Sequence, residues 1–151
     1  MLPYWQYNLI HHNLDIMHIE KNVCDNVIGT LLNVDRKSKD NMKARLDLVD
    51  MGIRPELQPL VLPNDWKCMP PACYSMTKNE KDIFCKVLKD IKVSDGYASN
   101  ISRCVNLKER KLIFLKSHDN HILMQDLLPI ALRSSMSRNV TSVLIELCGI
   151  F

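Results

Sequence analysis

Pro55, Pro59, Pro63, Pro70 and Pro71 all fall within residues 53 to 74. Proline lacks a backbone N–H and fixes φ, so this stretch cannot be a continuous helix and is a poor central strand. It reads as an extended connector. It divides the chain into residues 1 to 52, the connector 53 to 74, and residues 75 to 151. On both sides apolar residues recur at helical spacing. Glycine is scarce at 4 and aromatics make up only 6%. A sandwich or barrel wants more of both. The expected fold is therefore mainly α: an irregular bundle of about five to seven helices with a Pro-rich central connector.

Residues 14 to 33 read as the first helix, with Asn13 as its N-cap. Ile16, Ile19, Val23, Val27 and Leu31 gather on one side and Asp15, His18, Asn22, Asp25 and Asn26 on the other. A second helix is expected over 39 to 51, capped by Ser38 and closed by Gly52. Thr77 and Glu80 form a T-x-x-E capping box before Ile83, Phe84, Val87, Leu88 and Ile91. Asp95-Gly96 is a turn signal. A short helix is expected over 98 to 105 and a basic one over 107 to 116. Ser117 should cap a helix over 118 to 132 that is apolar on nearly every side and kinked or shortened at Pro129. The last helix is expected near 138 to 148, before Gly149.

Lys plus Arg is 20 and Asp plus Glu is 17, a net charge of +3. That is too mild to announce a nucleic-acid binder. No run of 18 apolar residues spans a membrane. The start, MLPYWQYNLIHHN, lacks the pattern of a secretory signal. The six cysteines are accordingly expected as reduced thiols.

Three constellations can carry chemistry. In HHNLDIMHIEKN, Asp15, His18 and Asn22 share a helix face and either converge on a metal or partner or form a solvated polar face. Glu20 falls inside the apolar stripe instead. A carboxylate there is neutral, salt-bridged or metal-bound, or its stem packs while its head reaches water. His118, His121 and Gln125 share a face of a later helix. Two His at i, i+3 are too few for a zinc site unless joined by distant groups such as Cys68 and Cys73. Otherwise they are ordinary packed or hydrogen-bonded histidines beside a capped helix start. Arg103, Lys108, Arg110, Lys111 and Lys116, offset by Glu109, form a basic segment that either contacts phosphate backbone or is a solvated face. No aromatic is read as interleaved with these cations, so stacking on single strands is not expected.

The string LPYWQYNLIHHNLDIMHIEKNVCDNVIGTLLNVDRKSKDNMKARLDLVDMGIRPEL resembles the end of the transposase region of plant CACTA (En/Spm-like) elements. PPACYSMTKNEKDIFCKVLKDIKVSDGYASNISRCVNLKERKL and LKSHDNHILMQDLLPIALR resemble the plant domain of unknown function that follows it. The resemblance covers nearly the whole chain. It implies a relation to RNase-H-like enzymes that cut and join DNA with three acidic residues and divalent metal, Mg or Mn, in two-metal chemistry. The family's D-x-M-H-x-x-x-N helix motif falls on Asp15, Met17, His18 and Asn22. Glu20 is the position matched to the third acid, Asp15 the alternate, and His18 a supporting neighbour.

The other two acids of such a triad belong to upstream strands of a sheet. The expectation is therefore a truncated transposon-derived product without that sheet, without catalytic activity of its own, and without a cofactor. It would comprise a transposase tail over 1 to 52, the connector, and part of a helical accessory domain over 75 to 151. DNA or transposase subunits are the implied partners and the nucleus the implied location. No membrane or small-molecule ligand is expected. The alternative function is a helical DNA-binding or protein-interaction module. The first helix is further expected to have a poorly buried apolar face, or one borrowed by another helix. The half after the connector should form the better core.

Overall fold

The computed structural model describes residues 16 to 92 and 100 to 150. Among these the protein is mainly helical, without a sheet core. The helices are α1 (Ile16–Leu31), α2 (Met42–Asp50), α3 (Lys78–Asp90), α4 (Ser117–Ile122), α5 (Leu128–Ser135) and α6 (Arg138–Cys148). A π-helical segment, Leu123–Leu127, joins α4 to α5. Two small antiparallel hairpins complete the fold: β1 (Leu60–Val61) with β2 (Lys67–Cys68), and β3 (Val105–Asn106) with β4 (Lys111–Leu112). No described helix is long and apolar enough to cross a membrane.

The α4–α5 run is the centre, as its apolar composition predicts. Leu123, Met124, Leu128, Ala131 and Leu132 are all inaccessible to solvent. α5 packs on α3 and α6, and α4 packs on α1. Phe84 and Leu88 of α3 are equally enclosed. Burying each such side chain contributes about 1.5–3 kcal/mol. Pro129 acts through the turn before it. Its ring cannot donate and would crowd the carbonyl four residues back. The chain widens there into the π segment, and the Leu128 N–H reaches Leu123 O.

The first helix packs on the rest, but not through the Ile16–Val23–Val27 face expected to be poorly buried or borrowed: Val23 and Val27 are half-buried against the core. Cys24, Ile28, Leu31 and Leu32 belong to the same core cluster as Phe84, Leu128 and Cys148. The buried stripe is rotated from the expected one: Ile19 is exposed, while Glu20 and Cys24 are enclosed. α2 starts later than expected, at Met42, because the Asn41 side chain accepts from the Ala44 N–H at 3.1 Å. Gly52 closes it at φ +66, a conformation open to glycine at no steric cost.

The connector is a short arm. A 3-10 turn, Pro55–Leu57, leads into the β1–β2 hairpin. Leu60, Val61, Leu62 and Trp66 stand exposed on it. Its base is held by Arg45 of α2, which is 2% exposed. The guanidinium pairs with Asp40 through Nε and through Nη2 (2.7 Å). It also donates to the carbonyls of Leu57 at 2.5 Å and Pro70 at 3.4 Å, on the two sides of the hairpin.

The expected basic helix over 107 to 116 is not formed. Ile101–Cys104 is a 3-10 turn, and residues 105 to 112 make the β3–β4 hairpin. Asn106 Oδ1 accepts from the Glu109 N–H at 3.0 Å, and Arg110 takes φ 53. An Asx turn of this kind competes with helix despite good helix formers nearby. The Asp95-Gly96 turn and the start of the short helix expected over 98 to 105 lie outside the described residues.

Candidate functional site

Glu20 is 2% exposed. Its Oε2 lies 2.7 Å from His121 Nδ1, across the α1–α4 contact. An ionised carboxylate only accepts, so with Glu20 charged Nδ1 carries the proton and Nε2 is left as the second ring nitrogen. The His121 side chain remains 39% exposed. The pair has the form of a carboxylate orienting an imidazole. Among the described residues, Glu20 Oε1 and the Asn120 side-chain oxygen, both buried, have no hydrogen-bond partner. One helical turn on, Cys24 is fully enclosed; burial first, then the nearby Asp25 charge, pushes its thiol up to about 12.

The other expected members do not join this pair. Asp15 lies outside the described residues. His18 is exposed, and two helical steps turn it about 200° from Glu20. Asn22 is exposed with it. His118 and Gln125 are exposed on either side of His121. Cys68 and Cys73 are exposed in and after the arm. Among the described residues, no three His, Cys, Asp or Glu side chains are grouped to hold a metal ion.

The five basic residues occupy the 3-10 turn, the hairpin and the start of α4. Arg103, Lys108 and Lys116 are exposed. Arg110 is turned back onto α3, with Nε at 2.6 Å and Nη2 at 3.1 Å from the Asp82 carboxylate. Lys111 pairs with Glu109. Three of the five thus face water while two are engaged.

The expectation of no interleaved aromatic was mistaken. Phe114 lies between Lys111 and Lys116 and is 89% exposed. It was legible as an aromatic flanked by cations, but the helix expected there gave it no special direction.

Two cavities flank α1. An open groove of about 540 Å³ runs between Val27, Thr30, Tyr74, Val140 and Val143. A smaller cavity, about 220 Å³, lies on the opposite flank beside Lys21, Asp25, Gly29, Lys37 and Phe114. Comparison with family models, curated proteins and solved structures finds no match to this chain.

Proposed function

We propose that this chain is a transposon-derived protein, related to the transposase region of plant CACTA elements, that acts without catalysing DNA cleavage. The resemblance of its long sequence strings supports the relation. The observation that carries the non-catalytic reading is the setting of Glu20. Two-metal cleavage needs carboxylates that converge on ions with open positions for water and phosphate. Here the carboxylate is enclosed between helices and spends one oxygen on His121. On this reading Glu20 secures α1 to α4, the chain takes no metal of its own, and its setting is nuclear. Supercoiled plasmid with Mg or Mn tests it. Wild type and Glu20→Gln should both leave the DNA intact; nicking by wild type that Glu20→Gln abolishes would overturn it.

A second reading, a helical module that contacts DNA or a transposase subunit, is favoured by Arg103, Lys108 and Lys116. They stand exposed and need no ion pair broken to meet phosphate. Replacing these three by Gln spares the Arg110–Asp82 contact. On duplex DNA, a gel shift should lose strength, with the log-log salt slope reduced by about three. An unchanged slope would assign these cations to the solvated surface.

A further inference from the structure

Phe114 combines two features that cost folding energy and gain nothing inside this chain. Its backbone sits at φ 59, the left-handed region that bulky side chains avoid. Its ring is 89% exposed, so no core contact offsets that strain. The strain is held from both sides. The Ile113 N–H donates to Cys104 O at 2.9 Å, and Leu112 and Leu115 are buried and half-buried. Such strain at a bulky exposed side chain is a pointer to a site that meets a ligand.

What lies beside the ring indicates the ligand. The 220 Å³ cavity has a floor of Ile28 and Leu112, while Lys21, Asp25 and Lys37 are its charged lining. Asp25 is paired with Lys21 at 2.7 Å, which leaves Lys37 to set the sign of the rim as positive. Lys37 is carried by a fixed loop. The Val34 N–H donates to Gly29 O at 2.8 Å, the Lys37 N–H to Val34 O at 3.1 Å, and the Lys39 N–H to Thr30 Oγ1 at 3.0 Å. Gly29 permits the approach: a Cβ there would stand 2.9 Å from the Lys37 carbonyl oxygen. A docking patch for a protein would surround the ring with other exposed apolar side chains. Here the apolar residues of the cavity, Ile28, Val34, Leu112 and Leu115, are buried or half-buried, Lys37 is exposed beside the ring, and the cavity is smaller than those that enclose drug-sized molecules.

We propose that Phe114 and Lys37 form a subsite for one unpaired nucleotide. The base stacks on the Phe114 ring at the cavity mouth, and its phosphate is met by Lys37, while Lys21 stays paired with Asp25. This is the pairing of aromatic platform and cation used on single strands. The subsite is separate from Glu20 and His121, and it does not depend on the relation to transposases. The nucleotide belongs either to a single strand or to the free pool.

Fluorescence anisotropy of the full chain with a labelled oligothymidylate of about ten nucleotides, a small single-strand site size, tests it at low salt. Wild type should bind. Phe114→Ala should weaken binding about 5- to 150-fold, Phe114→Tyr should retain it, and Lys37→Gln should lower the salt slope by about 0.7. The exposed position makes loss of fold on Phe114→Ala unexpected, and an unshifted thermal midpoint checks this. Competition by thymidine monophosphate would assign the site to free nucleotide, and resistance to it would assign it to strands; either supports the stacking site. No binding by wild type, equal binding by Phe114→Ala, or equal Phe114-dependent binding of a blunt duplex would overturn it. Failure here leaves the plasmid test of Glu20 untouched, because the two share no residue.

Discussion

Glu20 and His121 are separated by 101 positions in the chain and meet at 2.7 Å. Glu20 is enclosed, whereas the His121 side chain is 39% exposed. This asymmetry sets the order of two substitutions. Removing His121 leaves a buried carboxylate without its partner, at a cost of about 3–5 kcal/mol. Removing Glu20 leaves an imidazole that turns to water, at about 1–3 kcal/mol. His121→Ala should therefore be the more destabilising in urea titration. Glu20→Gln should stay within about 1 kcal/mol of wild type. Equal losses for the two alanine variants would mean that burial of Glu20 is not what makes the contact matter.

The Asp40–Arg45 pair predicts an acid dependence. The Arg45 guanidinium hydrogen-bonded to Asp40 holds its carboxyl below the usual value, against a smaller opposing effect of burial. A depressed carboxyl contributes stability that is fully present above its unfolded value, about 4. That contribution is lost as pH falls through the folded value. Asp40→Asn should be less stable than wild type near neutrality. The gap should begin to narrow as pH falls below about 4 and go on narrowing through the lower folded value. Unfolding midpoints across pH would show it, and a gap that widens in acid would refute the assignment.

The cysteines should separate by reactivity. Burial pushes Cys24 up to about 12 and Cys85 to about 11, and raises Cys148 as well. Cys68 and Cys73 are exposed. The thiolate is the attacking form, so native alkylation followed by mass spectrometry should mark Cys68 and Cys73 first. Early labelling of Cys24 would mean that α1 opens from the core.

Phe114 should be better served by glycine as far as folding alone is concerned. Its positive φ costs about 1–3 kcal/mol for a bulky residue, and the exposed ring contributes little burial in return. Phe114→Gly should raise the thermal midpoint or leave it unmoved, since the looser unfolded chain offsets part of the gain. A clear fall would show that the ring is packed in solution.

Local chemistry made much of the helical frame legible. Thr77 and Glu80 form the capping box as expected, with the Glu80 N–H donating to Thr77 Oγ1 at 3.3 Å and the Thr77 N–H to Glu80 Oε2 at 2.7 Å. Gly52 and Pro129 shape the chain where they stand. Glu20 was picked out by its place among apolar neighbours, but its partner was not, because spacing along one helix says nothing about a contact 101 residues away. The same holds for Arg45, which reads as an ordinary surface cation until the arm folds over it. Residues 107 to 116 failed for the opposite reason: their helix propensity was overruled by the Asn106 turn and by Arg110 reaching across to Asp82.

Because one guanidinium gathers Asp40, Leu57 and Pro70, the arm is closed off at its root. Lengthening a surface loop adds little closure entropy, and here the change would end at that root. An unrelated hairpin placed between Leu57 and Pro70 should therefore leave the urea midpoint of the bundle close to that of wild type, provided the two carbonyls still reach Arg45. The arm is thus a place where new binding specificity can be written without rewriting the fold.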